Sequence, residues 1–412
     1  MLDVILQSAR LRGNESRLVD ISIGGGKISA IEAHGALQDA AGADVVDLRG
    51  GLVMPGFVET HIHLDKSCVI DRCNIVAGTL QEAIGETARV KRAFTEADVM
   101  ARAQRTLEKS IIAGTQHMRT HVEVDPRIGL TGFHAVRELA KAFAWAIDVE
   151  ICVFPQEGLL NDPGTDELLV EACLLGADAI GGCPYADTQP MAHIARIFSI
   201  AQQYDLDIDF HLDFDLDPTW MHLDEVIRQT RAHRYGGRVA VGHATKLSAV
   251  PAPRLATIAH ELADAGIAVT VLPATDLFLM GRAFDHNVPR GVARADLLAA
   301  HGVTCSIATN NVLNAFTPFG DCSLGRMANM FANVAQLGRP EDISRCMDMV
   351  TTSAARLMNI ADYALVVGGP ATLIALPCDN AVSAIAEIVP PILGIKDGRR
   401  TFSRPLPTLH AT

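Results

Sequence analysis

The strongest constraint on this chain is a regular alternation that begins at Gly56. Short apolar runs recur from there: GFVETHIHL, TQHMRTHVEV, DVEICVFP, ADAIGGCPY, LDIDFHLDF, RVAVGHAT, IAVTVLPAT and VTCSIAT. Longer stretches between them, such as EADVMARAQRTLEKSIIAG and TGFHAVRELAKAFAWA, place their apolar residues on one helical face. A strand that is apolar throughout is covered on both faces, and such strands alternating with amphipathic helices build a parallel sheet. Eight units of this kind predict an α/β fold, a closed (β/α)8 TIM-type barrel over residues 56–360.

Residues 1–55 and 361–412 read differently. VILQSARL, RLVDISIGGGKISAIEA and ADVVDLRGGLVMPG are short strands separated by Gly-rich turns, and LVVGGPATLIALPC, AVSAIAEIV and ILGIKDGRRTFSR return to that pattern. Both chain ends are therefore expected to form one small β domain into which the barrel is inserted. Gly24-Gly25-Gly26 reads as a hairpin turn, because no Lys-Ser/Thr follows to make a phosphate loop.

Composition narrows the partners. Thirty-five basic against 48 acidic residues leave a net charge of −13, which argues against nucleic acid or an anionic membrane surface. No apolar run is long enough to span a bilayer, and the opening MLDVILQSARLRG lacks a leader pattern. The nine cysteines include no CxxC pair and read as reduced thiols, so a cytoplasmic location is expected. The β domain has sheet edges that need covering, which favours a homo-oligomer.

In a barrel of this type chemistry belongs at the C-terminal ends of the strands, and the histidines gather there. His61 and His63 end the first strand on the same face by alternation, where their imidazoles can converge on one divalent metal. The fifth strand supplies His211, with Asp209 and Asp213 on its face, and the sixth supplies His243. His121, on the second strand, reads as a structural histidine with Arg119 and Glu123 as partners. Lys66 stands beside the histidine pair, either in a salt bridge with Asp65 or as a donor to a substrate oxygen. Glu157 is expected in a structural ion pair facing away from the pocket. Phe316 can stack on a planar ring, and Phe214, Phe278 and Met280 make the pocket wall apolar.

These residues resemble the amidohydrolase superfamily, and within it the bacterial cytosine deaminase branch. The matching stretches are HIHLDKS, GTQHMRTHVEVD, FPQEG, YDLDIDFHLD, GGRVAVGHAT, LMGR, PRG and TPFG, spread over nearly the whole chain. Asp65-Lys66-Ser67 is also similar to the triazine-processing N-isopropylammelide isopropylamidohydrolases. The resemblance implies one divalent metal ion, zinc or iron, on His61, His63, His211 and a fourth ligand from the eighth strand. It casts His243 as the base beside a metal-bound hydroxide, and Gln156 as a hydrogen-bond partner of a flat nitrogen heterocycle. Arg282, in Leu279–Arg282, would lie along the pocket wall, and Asn311 near the substrate. The implied reaction is cleavage of a C–N bond of a cytosine- or triazine-like ring.

Two positions depart from the pattern. The eighth-strand ligand, Asp in the family, is Asn310, followed by Asn311 where a second Asp is common in the deaminases. An amide cannot accept a proton near neutral pH. The Glu that cytosine deaminases carry three residues after the fifth-strand histidine is Phe214, which argues against plain cytosine. Asp213 or Asp215 is expected to replace that acid, and Asp65 is a distant candidate for the lost shuttle. The alternatives are a catalytically impaired heterocycle-binding relative, motivated by Asn310 and Phe214, and a hydrolase of a lactam or other amide, with Lys66 polarising the carbonyl.

Overall fold

The apolar runs become eight parallel strands that pair in sequence order: Phe57–Ile62, Thr115–Glu123, Asp148–Phe154, Ala179–Ile180, Asp207–Leu212, Val239–His243, Ile267–Val271 and Cys305–Ile307. The computed structural model describes residues 3–37 and 42–410. A parallel bridge between Ile62 and Asn310 joins the first strand to the end of the eighth and closes the barrel. Two backbone bonds make that seam: Asn310 N–H donates to His61 O at 2.8 Å, and His63 N–H to Asn310 O at 3.0 Å. Closure thus depends on the segments that carry the candidate ligands.

The helices form for local reasons. In Glu96–Ile112 the Thr95 side chain accepts from Asp98 N–H, a cap worth about 1 kcal/mol. Val99, Ala103, Leu107 and Ile111 follow at four-residue spacing and face the barrel core. No described helix is long and apolar enough to cross a membrane. All nine cysteines are free thiols.

The chain ends share a second sheet. Leu52–Met54 pairs antiparallel with Leu373–Leu376, joining the strands Val4–Leu11, Asn14–Gly24 and Lys27–Ala33 to Leu393–Lys396 and Arg399–Ser403. The glycine turn is a hairpin turn, with Gly25 and Gly26 at φ 57° and 79°. Gln116, on the second barrel strand, ties the two parts together. Its Oε1 accepts from Gly56 N–H, and its Nε2 donates to Leu373 O and Ile395 O.

One expected strand is a helix. AVSAIAEIV contains Ala381–Ala386, whose Asn380 cap accepts from Ser383 N–H. Its buried residues, Ala381, Ala384 and Ile385, have helical rather than alternating spacing.

Candidate metal centre

The first strand is buried from end to end, so His61 and His63 enter the barrel mouth from a rigid support. His211 arrives from the fifth strand, and its Nε2 lies 3.1 Å from both His61 Nε2 and His63 Nε2. His63 Nδ1 lies 3.0 Å from the His121 carbonyl oxygen, which fixes that nitrogen as the protonated one and turns the Nε2 lone pair inward. Burial first, and then neighbouring charged or imidazole groups, hold all three rings well below the usual histidine range. Neutral imidazoles whose Nε2 atoms converge on one point suit a divalent cation. Asn310 Oδ1 is buried without a hydrogen-bond partner. The donor set His61, His63, His211 and Asn310 therefore fits a metal ion.

Backbone strain marks the same region. Asp213, His243, Ala244 and Asn310 all have positive φ, between 47° and 66°. For ordinary residues that conformation costs on the order of 1–3 kcal/mol, which surrounding structure must offset. The consequence for Asp213 is visible. Its carboxylate leaves the strand alternation and accepts from His222 N–H and Leu223 N–H, capping the helix Leu223–His233. Asp213 is thus not placed to replace the missing acid. Asp215 faces outward, 3.3 Å from Lys246 Nζ.

Phe214 itself stacks on the His243 ring, with centroids 3.7 Å apart. The other side of that ring carries a group absent from the sequence-based expectations. Asp276, fully buried in the helix Pro273–Leu279, places Oδ1 at 2.7 Å from His243 Nδ1, while its Oδ2 accepts from Leu272 N–H at 3.2 Å. Burial raises the Asp276 pKa, and His243 opposes that rise. The carboxylate fixes His243 with Nδ1 protonated and Nε2 as an acceptor, 3.5 Å from the Asn310 Nδ2 donor. The available sequence signal was an acidic residue immediately beyond the seventh strand, in an otherwise apolar stretch.

Lys66 does not pair with Asp65. Its Nζ donates to Glu123 Oε1 at 2.7 Å and to Gln156 Oε1 at 3.1 Å, and lies 4.6 Å from the Phe316 ring centre. Asp65 instead accepts backbone N–H groups from Lys66 and Glu123, and burial together with the Glu123 charge pushes its pKa up to about 6. That commitment removes it as a shuttle. Arg119 and Glu123 do not partner His121 either. Arg119 pairs with Glu150 and Asp209, Glu123 pairs with lysines, and His121 stacks on His61 with centroids 3.7 Å apart.

Leu279 and Met280 pack with Phe214 and Phe316 in one apolar cluster. Arg282 departs from that wall. It is exposed and donates to Phe278 O, covering the Phe278 ring from outside. Asn311 Oδ1 accepts from Asn314 Nδ2, and Asn314 Oδ1 accepts the N–H groups of Phe316 and Thr317. These asparagines shape the loop that presents Phe316.

Residues 44–142 and 132–402 match the Amidohydrolase family. The chain belongs to that family. It is a hydrolase acting on carbon–nitrogen bonds, of the cytosine deaminase-like branch. Among relatives, N-isopropylammelide isopropyl amidohydrolase of Pseudomonas sp. is 26% identical over 96% of either chain. A pterin deaminase of Rhizobium rhizogenes is 27% identical over 84% of this chain and 82% of its own. Among solved structures, the 5-methylcytosine deaminase of Klebsiella pneumoniae liganded with 5-fluorocytosine superposes with a TM-score of 0.93 at 28% identity, covering 99% of both chains. N-isopropylammelide isopropylaminohydrolase of Burkholderia multivorans gives 0.85 at 26% identity, covering 97% of this chain and 98% of its own. As an amidohydrolase, the chain retains the three-histidine cluster while carrying Asn310 and Phe214.

Proposed function

We propose that this amidohydrolase removes an amino or alkylamino group from a planar nitrogen heterocycle carrying a ring carbonyl. The observation that carries this reading is the convergence of three neutral imidazoles beside a His243 ring held by Asp276. His61, His63 and His211 would hold the metal, zinc or iron, with Asn310 as an amide-oxygen ligand. A divalent ion there supplies Lewis acidity, which lowers the pKa of water toward about 7.

The remaining work belongs to the side chains. His243 Nε2 accepts a proton from the attacking water, and Asp276 stabilises the imidazolium that results. The same nitrogen returns that proton to the departing amine. Asn310 cannot share this duty, so proton transfer rests on one group. Lys66 donates to a ring carbonyl oxygen, Gln156 orients the ring through its amide, and Phe316 offers an apolar face. Phe214 supplies no proton, which favours a substrate other than plain cytosine. The free thiols support a cytoplasmic setting, and the sheet edges support a homo-oligomer.

The test combines metal analysis of the purified protein with hydrolysis assays on cytosine, 5-methylcytosine, N-isopropylammelide and pterin. The expected result is about one equivalent of zinc or iron and amine release that chelation abolishes. Protein that binds these rings without turnover, with or without metal, would establish the binding-only reading that Asn310 and Phe214 favour.

A further inference from the structure

Behind Lys66 lies a second buried ammonium that the chemistry above does not use. Lys91 follows the helix Leu80–Val90 and is 1% exposed. Its Nζ donates to Glu123 Oε2 at 2.8 Å, Asp125 Oδ2 at 2.6 Å and Glu157 Oε1 at 2.6 Å. These three carboxylates lie close enough together to hold a cation, and Lys91 is the cation they hold. Arg127 closes the outer side, 3.1 Å from Asp125 and 3.8 Å from Glu157.

Glu123 is the shared member. One oxygen serves Lys91 and the other serves Lys66, so the two ammonium groups grip one carboxylate from opposite ends. Lys66, Lys91 and Arg127 face Glu123, Asp125 and Glu157, and Arg127 is shared with Asp162 at 2.7 Å. Without Lys91, the carboxylates would face one another in a low-dielectric interior with only Lys66 and Arg127 at the edges to offset their repulsion. Lys66, on its flexible stem, is the ammonium that can move toward them, and doing so would take it away from Gln156.

We propose that Lys91 is a positioning residue: by fixing Glu123 Oε2 it sets Oε1, and so holds the Lys66 ammonium against Gln156 where a ring carbonyl oxygen is recognised. The last clause rests on the proposed function; the placement of Lys66 does not.

The test uses Lys91→Met, Lys66→Met and the double variant, each purified with its metal. Crystal structures of Lys91→Met should show Lys66 Nζ beyond about 4 Å from Gln156 Oε1, outside hydrogen-bond range, with His61, His63 and His211 in place. On whichever of the four heterocycles is turned over, Lys91→Met should raise KM on the order of tenfold while kcat changes less than about threefold. In the Lys66→Met background the same substitution should have no further effect, whereas a merely structural role would cost the same in both backgrounds. Should Lys91→Met fail to fold, Lys91→Met with Asp125→Asn, which removes one of the opposed carboxylates, carries the same measurements. Lys66 remaining on Gln156, or equal losses in both backgrounds, would overturn the proposal. A wild-type enzyme inert toward all four compounds would count against the proposed function, and the crystal distance would still decide the role of Lys91.

Discussion

Replacing Asp276 by Asn tests the assignment of His243 most directly. The two residues are nearly the same shape, so packing is preserved and the change is one of hydrogen-bond polarity. Asp276 accepts twice, from Leu272 N–H at 3.2 Å and on the side of His243 Nδ1 at 2.7 Å. An amide has one oxygen to offer. If that oxygen stays on Leu272, its NH2 group faces His243 Nδ1, the imidazole proton moves to Nε2, and the base is lost. If the oxygen turns to His243, the NH2 group opposes Leu272 N–H in a buried site, at a cost of about 1–3 kcal/mol. The correct tautomer then survives, but the imidazolium loses its charged partner, a further penalty of about 1–2 kcal/mol. The first case removes about 10⁴-fold in kcat, as seen where a triad aspartate becomes asparagine, and the second about tenfold or more. The assay is kcat on the compound that wild type turns over, alongside metal content and the ¹⁵N tautomer signature of His243. Metal retained with kcat within threefold of wild type would show that Nε2 of His243 is not the base.

Three further outcomes follow from the geometry. A methyl group on Gly242 would meet His61 Nδ1 and Cε1 at 3.0 Å, so Gly242→Ala should displace that ring and weaken metal binding about 10–100-fold by competition titration; unchanged affinity would remove His61 from the ligand set. Asn310→Asp places a carboxylate where the unpartnered Oδ1 now lies and should raise metal affinity about tenfold or more, read by the same titration, with no gain counting against ligation there. Asp98 is held down to about 2 by hydrogen bonds from Arg72, against burial, with Arg102 adding to the effect. Its folded pKa lies below the usual 3.8, so its contribution is complete above about pH 5 and fades as pH falls through 2. Urea unfolding should therefore show Asp98→Asn less stable by about 1–2 kcal/mol at pH 7, with the gap closing below pH 4; a constant gap would dismiss the assignment.

The barrel and its histidines were legible because strand alternation and strand-end placement are local properties of sequence. His61 and His63 share a face by a period of two, and the eight apolar runs announce their own spacing. What was illegible depends on departures from that regularity. Asp213 shares the parity of His211, yet a φ of 49° turns its carboxylate to a helix end. Asp276 lies on a helix, outside the strand pattern, and meets His243 only through the folded seventh loop. Lys91 reaches Glu123 across a sequence separation of 32 residues, and no periodicity links them. AVSAIAEIV read as a strand from its apolar and β-branched content, while the Asn380 cap chose a helix. The resemblance assigned Asn310 to the eighth-strand ligand position through the family motif, and its amide chemistry could be read from residue type alone; its part in closing the barrel could not.

The amide of Gln116 has one further consequence. Its three backbone partners come from Gly56, Leu373 and Ile395, so the floor of the barrel is bolted to strands made at opposite ends of synthesis. Until the segment through Ile395 has left the ribosome, a buried side chain in the second barrel strand has acceptors missing. The base of the barrel is therefore sealed only near the end of translation.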